Sequence, residues 1–154
     1  SHKVARSLGL DRRQAVEHAN LARSLERMMD HAQQLAILIF EVEKLPSFEN
    51  NQPPMQQLPL WQMAIKTLMI NLRSRNIEDI EDARNILKNA QIRLKEFEAG
   101  LWKERKDIRI LLLKYRISES VRRLCAYARD FGEILLNMIV YDRIISETVE
   151  DIID

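Results

Sequence analysis

The position of the prolines constrains the fold of this chain more than any other feature. All four lie within residues 46–59, so the segments on either side can form long, uninterrupted helices. In the first segment apolar residues recur in steps of four and three, which predicts one apolar stripe on a helix of roughly 30 residues. The stripe consists of Leu21, Leu25, Met28, Ala32, Leu35, Ile39 and Val42. Asp11, with Gln14 three residues later, has the spacing of a capping box and predicts where this helix begins.

The segment after the prolines predicts three more helices. The first runs from residue 60 to about 75, and the second from 77 to about 99, with Asn76 as its N-cap and Gly100 at its end. The third runs from about 103 to 145 or beyond and has a long apolar stripe. A seam of that length requires antiparallel partners, and no segment shows the alternation of a strand. The sequence therefore predicts an all-α fold, an antiparallel up-and-down helical bundle.

Composition excludes several classes of protein. The formal net charge of +1 favours neither a nucleic-acid polycation nor an acidic tail. The longest apolar run, residues 35–40, is far shorter than the roughly 20 residues that a membrane span requires. The single cysteine, Cys125, rules out an internal disulfide and suits a reducing compartment, so we expect a cytoplasmic protein without a membrane span. Since the sequence shows no phosphate loop, nucleophile elbow or catalytic triad, we expect no enzymatic activity.

The two long helices contain similar segments. Residues 25–36, "LERMMDHAQQLA", align without gaps with residues 121–132, "VRRLCAYARDFG", which lie 96 positions later. Both begin with a large apolar residue, and both have Arg third, an aromatic ring seventh and Ala eighth. The first segment has an acidic pair, Glu26 and Asp30, where the second has Arg122 and Ala126. This repetition indicates a tandem of helical units.

The first of these segments carries a family resemblance. "LGLDRRQAVEHANLARSLERMMDHA" resembles the third helix of a repeat in the PhoU family of phosphate-uptake regulators, whose signature is close to "LERIxDHAxNIAE". The resemblance implies two similar three-helix units. Residues 9–45 would be the last helix of a preceding unit, 46–59 a Pro-rich linker, and 60–154 a complete unit, all packed as one domain. "LDRRQAVEH" is similar to archaeal members, in which a DNA-binding domain of the AbrB type often precedes the PhoU region; that N-terminal part is absent here.

The resemblance also implies a metal site at Glu26 and Asp30, because family members hold iron or zinc through such acidic pairs. The two carboxylates are one helical turn apart and project from the same face, so a cation would relieve their repulsion. Two other interpretations stay open: a solvated edge neutralised by Arg23 and Arg27, and an acidic patch that binds a partner. His31 is interpreted as a boundary or core residue rather than a ligand.

An enzyme of the carboxylate-bridged di-iron class is not supported. Such sites require Glu-x-x-His pairs on two helices, whereas Met28 stands three residues before His31 and Ala15 three residues before His18.

The expected function is therefore a non-enzymatic regulator of phosphate uptake or phosphate signalling. It would act through contacts with a phosphate transporter or signalling protein, as a homodimer, with iron or zinc bound at Glu26 and Asp30. The alternative is the oligomerisation domain of a transcriptional regulator, which would contact DNA only through a missing N-terminal domain. The basic run from Lys103 to Arg129 is interpreted either as a solvated helix face or as a surface for an acidic partner or DNA phosphates.

Overall fold

The described part of the chain consists of four helices and no strands. The computed structural model describes residues 2–42 and 46–153, with the exposure of individual residues described at Gly9 and from Arg12 onward within these ranges. The helices are α1 (His2–Glu41), α2 (Gln57–Ser74), α3 (Ile77–Leu101) and α4 (Ile108–Ile153). This confirms the predicted all-α helical bundle. Residues 43–45 and 154, which the predicted units 9–45 and 60–154 include, lie outside the described residues.

The helices alternate in direction, and α4 is central to their packing. α2, α3 and α4 contact one another and form a three-helix unit, whereas α1 makes close backbone contacts with α4 alone. Arg13 lies over the ring of Tyr141, and His31 stacks on Tyr127, so residue numbers fall along α4 as they rise along α1. α1 and α4 contain 40 and 46 residues, and they are much longer than α2 and α3, which contain 18 and 25.

The turn between α2 and α3 is held by two asparagines. Asn76 caps α3 as predicted, since its side chain accepts a hydrogen bond from the N–H of Asp79 at 3.1 Å. The buried Asn71 donates to the carbonyl of Thr67 at 2.8 Å and accepts from the N–H of Asn76 at 3.0 Å. Arg75 adopts the left-handed conformation that ends α2. These bonds satisfy backbone groups that a helix end otherwise leaves without partners.

Three helix boundaries differ from the predictions. α1 begins at His2, so Asp11 lies inside the helix and its predicted role as N-cap is wrong; no proline precedes it, and Gly9 costs a helix only about 1 kcal/mol. α2 begins at Gln57 because Pro59 falls in the first turn, where no N–H is needed. α4 begins at Ile108 rather than near residue 103, because the Asp107 side chain accepts a hydrogen bond from the N–H of Arg109 at 2.9 Å.

One hydrophobic core includes residues from all four helices. Its most deeply buried large side chains include Leu68, Leu87, Leu94, Leu124 and Phe131, and α1 adds Leu21, Met28 and Leu35. Two polar residues, Lys114 and Asp142, interrupt the apolar stripe of α4, and both have partners. Lys114 is buried with its Nζ 4.0 Å from Glu104, and Asp142 accepts a hydrogen bond from Arg75 at 2.6 Å. None of the described helices combines the length and apolar character needed to span a membrane.

Candidate functional site

The two similar segments pack against each other at the contact between α1 and α4. The seventh residue of each segment is an aromatic ring, and these rings, His31 and Tyr127, stack with their centroids 5.2 Å apart. The third residue of each is an arginine. Arg27 lies 6.0 Å from the centre of the Tyr127 ring, and Arg123 acts on the charge of His31. The repeat therefore forms a quasi-symmetric contact to which each copy contributes one ring and one cation.

The surroundings of His31 disfavour its protonated form. Its Nδ1 atom is buried and has no hydrogen-bond partner among the described residues. Burial lowers the pKa of His31 below its ordinary value of 6.5, and Arg123 lowers it further, while Asp30 and Glu119 oppose the decrease. The structure thus places His31 at the boundary of the core, in agreement with its interpretation from the sequence.

The two predicted metal ligands, Glu26 and Asp30, are both exposed on α1. The described residues contain no group of three or more His, Cys, Asp or Glu side chains arranged to hold a metal ion. Two carboxylates supply only part of the four or more ligands that zinc or iron takes in proteins. Water or a partner protein would have to supply the rest, so the metal site stays a prediction. Within the described chain neither carboxylate forms an ion pair, and the expected neutralisation by Arg23 and Arg27 is not observed as direct contact.

A second line of residues runs along α1, on a side that no other described helix covers. Its members recur in steps of four and three, and all are exposed: Ala22, Glu26, Met29, Gln33, Ala36 and Phe40. We call this line the outer face of α1. Met29 and Phe40 are 72% and 93% exposed. Large apolar side chains in helical register are typical of a surface that binds another helix.

In the repeat, the outer face of α1 corresponds to the face of α4 that α3 covers. The residues 96 positions later are all buried or half-buried: Ser118, Arg122, Cys125, Arg129, Gly132 and Leu136. Arg122 donates to the carboxylate of Glu98 on α3, through Nε at 3.0 Å and Nη2 at 3.2 Å. Arg129 donates to Gln91 on α3 at 2.7 Å. Residues at equivalent positions of the repeat therefore face α3 when they lie on α4 and face solvent when they lie on α1.

Further charged groups of the second segment lie where α3 crosses α4. A Cβ atom at Gly132 would lie 2.8 Å from Cγ of Arg84, so glycine allows this arginine to pass close to α4. Its guanidinium reaches Glu81 at 3.3 Å and Glu133 at 4.0 Å. Partial burial raises the pKa of Asp130, and Glu133 raises it further, against the opposing effect of Arg129, Arg27 and Arg84. These carboxylates belong to an electrostatic network between helices.

Cys125 is not a candidate nucleophile. Its side chain is fully buried, and burial raises the pKa of its thiol to about 12. The thiolate required for attack or for metal binding is therefore not formed near neutral pH. This agrees with its interpretation from the sequence as a small core residue.

The outer face was missed by reasoning from the sequence. The apolar stripe predicted for α1 contains neither Met29 nor Phe40, and both side chains are exposed. The signal that could have revealed the outer face is its own spacing in steps of four and three residues, which accompanies the core stripe along α1. Periodicity shows that a helix has two apolar lines, but it does not show which one another helix covers.

Comparisons with protein-family models, with curated proteins and with solved structures find no match to this chain. The PhoU assignment therefore rests on the residues quoted above and stays a prediction.

Proposed function

We propose that this chain is a non-enzymatic regulatory module that acts through protein contacts made by the outer face of α1. In this proposal it is a cytoplasmic PhoU-type regulator, and its contacts with a phosphate transporter or signalling protein control phosphate uptake. The observation that supports protein contact is the exposed apolar line on α1. The connection with phosphate is supported by the resemblance of residues 25–36 to the PhoU signature.

Burial of the exposed side chains would favour a contact with a partner. Burial of a methionine or phenylalanine side chain contributes about 1.5–3 kcal/mol, so covering Met29 and Phe40 would contribute several kcal/mol before the costs of association. Scattered single apolar residues on a surface need no explanation, but these two share one line with Ala22 and Ala36. The small side chains of these alanines, one before Met29 and one between Met29 and Phe40, would let a partner helix approach the backbone closely.

The internal repeat indicates the chemistry of the partner helix. Arg122 of α4 pairs with a glutamate of α3, and its counterpart in α1 is Glu26. The charge is inverted, so a partner that packs on α1 as α3 packs on α4 would carry Arg or Lys opposite Glu26. This contact would also account for the acidic pair Glu26 and Asp30, as the patch for a partner that the sequence left open. Metal binding by the pair is a separate prediction, which elemental analysis of Glu26→Ala with Asp30→Ala tests.

Two matched variants test the proposal in cells from which the gene has been deleted. Met29→Glu places a charge on the outer face, whereas Met63→Glu places one at a residue of α2 that is 57% exposed. Both should fold, since both positions are solvated, and circular dichroism checks this. Wild type and Met63→Glu should restore the regulation of phosphate uptake, and Met29→Glu should not.

Two outcomes would contradict different parts of the proposal. Full restoration by Met29→Glu would refute the role of the outer face. Phosphate uptake that is unchanged by the deletion itself would refute the connection with phosphate. Sedimentation addresses the expected homodimer: a dimer that Met29→Glu dissociates would favour the oligomerisation domain of a transcriptional regulator, and a monomer at micromolar concentration would refute the dimer.

A further inference from the structure

A polar cleft lies between α1 and α4, on the other side of α1 from the outer face. Its volume is about 270 Å³. α1 contributes His31, Gln34 and Leu38, which are spaced three and four residues apart and share one side of the helix. Met29 and His31 are two residues apart, so they point about 200° away from each other around the helix axis. The cleft and the outer face can therefore function independently.

The side of the cleft that α4 forms is mainly basic. Arg116, Glu119, Ser120 and Arg123 line it, at spacings that bring all four to the same side of α4. Glu119 accepts a hydrogen bond from Arg123 at 2.7 Å. Arg116 is exposed and forms no ion pair within the described residues. Two guanidinium groups thus face one carboxylate, and the cleft is positively charged even with a neutral imidazole.

We propose that this cleft binds a small oxyanion such as inorganic phosphate. Its lining offers the hydrogen-bond donors that such an anion requires: two guanidinium groups, the Ser120 hydroxyl, the Gln34 amide and the His31 ring. His31, which lines the cleft, has a buried Nδ1 atom without a hydrogen-bond partner among the described residues, and such an atom is costly unless something bonds to it.

The repeat shows that this arrangement is particular to one half of the α1–α4 contact. The positions that correspond to Arg116, His31 and Gln34 in the other copy are Asn20, Tyr127 and Asp130. Glu119 corresponds to Arg23 and Arg123 to Arg27, so the other half keeps two cations and one carboxylate, Asp130, but lacks the imidazole. The two halves therefore differ in the imidazole and in the positions of their charged groups, and not in the number of arginines and carboxylates.

The test is a phosphate titration at constant ionic strength, with chloride as the replaced anion, followed through the histidine ring signals by NMR. His31 and His18 are both on α1, and the exposed His18 serves as an internal control. The charged groups around the His31 ring are Asp30 and Arg27 on α1, and Arg116, Glu119 and Arg123 on α4. We expect the His31 signals to shift saturably with phosphate, while the His18 signals stay unchanged.

Three variants distinguish a specific anion site in the cleft from nonspecific attraction of phosphate to positive charge. Arg116→Gln should weaken phosphate binding about tenfold, because it removes a charge-assisted hydrogen bond. Glu119→Gln should strengthen binding about fivefold, because it removes the carboxylate that competes for Arg123. Arg23→Gln changes the charge equally at an exposed arginine of α1 outside the cleft, and it should leave binding unchanged.

The proposal would be overturned if His31 and His18 responded alike, or if Arg116→Gln and Arg23→Gln had the same effect. Phosphoserine presents the same oxygens on an ester. If it bound more tightly than inorganic phosphate, the assignment to a free oxyanion would be wrong.

Discussion

The ion pair between Glu98 and Arg122 joins α3 to α4. We expect the effects of replacing these two residues on the free energy of unfolding to be strongly coupled. The Glu98 side chain is only 7% exposed and that of Arg122 is 24% exposed. Both carboxylate oxygens of Glu98 accept hydrogen bonds from the guanidinium. Removing one member of a buried pair costs about 3–5 kcal/mol, because the other charge is left without a partner. Arg122 is partly solvated, so we expect about 2–3 kcal/mol for Arg122→Met.

Glu98→Met and the double variant complete a double-mutant cycle, and both should lose less stability than Arg122→Met. Glu98→Met leaves a guanidinium that water can reach, and we expect a loss of about 1 kcal/mol. The double variant, with two methionines packed in place of the pair, should be within about 1 kcal/mol of the wild type. The coupling free energy, which is the sum of the two single losses minus the loss in the double variant, is then about 2–4 kcal/mol. Arg123→Met is the control, since its pair with Glu119 is more exposed and should contribute under about 1 kcal/mol.

Thermal and urea unfolding followed by circular dichroism measure these free energies. Arg122→Met should lower the melting temperature by roughly 5–10 °C for a chain of this size. Free energies of unfolding that add across the two single variants, with a coupling below about 0.5 kcal/mol, would refute the reasoning. The ion pair would then contribute nothing measurable to the free energy of unfolding, and the apolar core alone would hold α3 and α4 together.

Three further predictions follow from single positions. Gly132→Ala should destabilise the fold by about 1 kcal/mol in urea unfolding, because overpacking against Arg84 at 2.8 Å outweighs the gain in helix propensity. Gly100→Ala is the control: a Cβ atom there would have nothing within 4 Å, so the variant should be neutral or stabilising. Cys125 should resist a thiol-specific reagent in the folded protein, since burial raises its pKa to about 12, and should react at once in guanidinium chloride; rapid labelling of the folded chain would contradict its burial. The pKa of His31 in the folded state is lowered below 6.5, so the unfolded chain binds the proton first as the pH falls. Stability should therefore be full above pH 6.5 and decrease as the pH falls through the folded-state pKa, and His31→Phe should remove this dependence.

The helices were predictable because their signals are local. The steps of three and four on α1 and α4, the confinement of prolines to 46–59 and the Asn76 cap each act within a few residues of the chain. The boundaries were less predictable for a related reason. Asp11 has the spacing of a cap, but a cap is used only if the chain before it leaves the helix, and nothing there makes it do so.

The candidate sites depend on contacts that no local pattern contains. Glu26 and Asp30 were found from the sequence, and the structure adds that they are exposed and that the described residues bring no third ligand to them. The stack of His31 on Tyr127 joins residues far apart in the chain, as does the basic cleft beside it. Sequence similarity between the two segments indicated a repeat, but it did not indicate that the two copies pack on each other.

The amino-acid sequence by itself determined that this chain forms four helices and that α1 and α4 each carry two lines of residues in helical register. Only the tertiary structure decided which lines are covered. In α4 the line through Cys125 lies under α3, whereas in α1 the equivalent line through Met29 faces solvent. The physical reason is that periodicity arises from the geometry of one helix, while burial depends on whether another helix is present to pack against it.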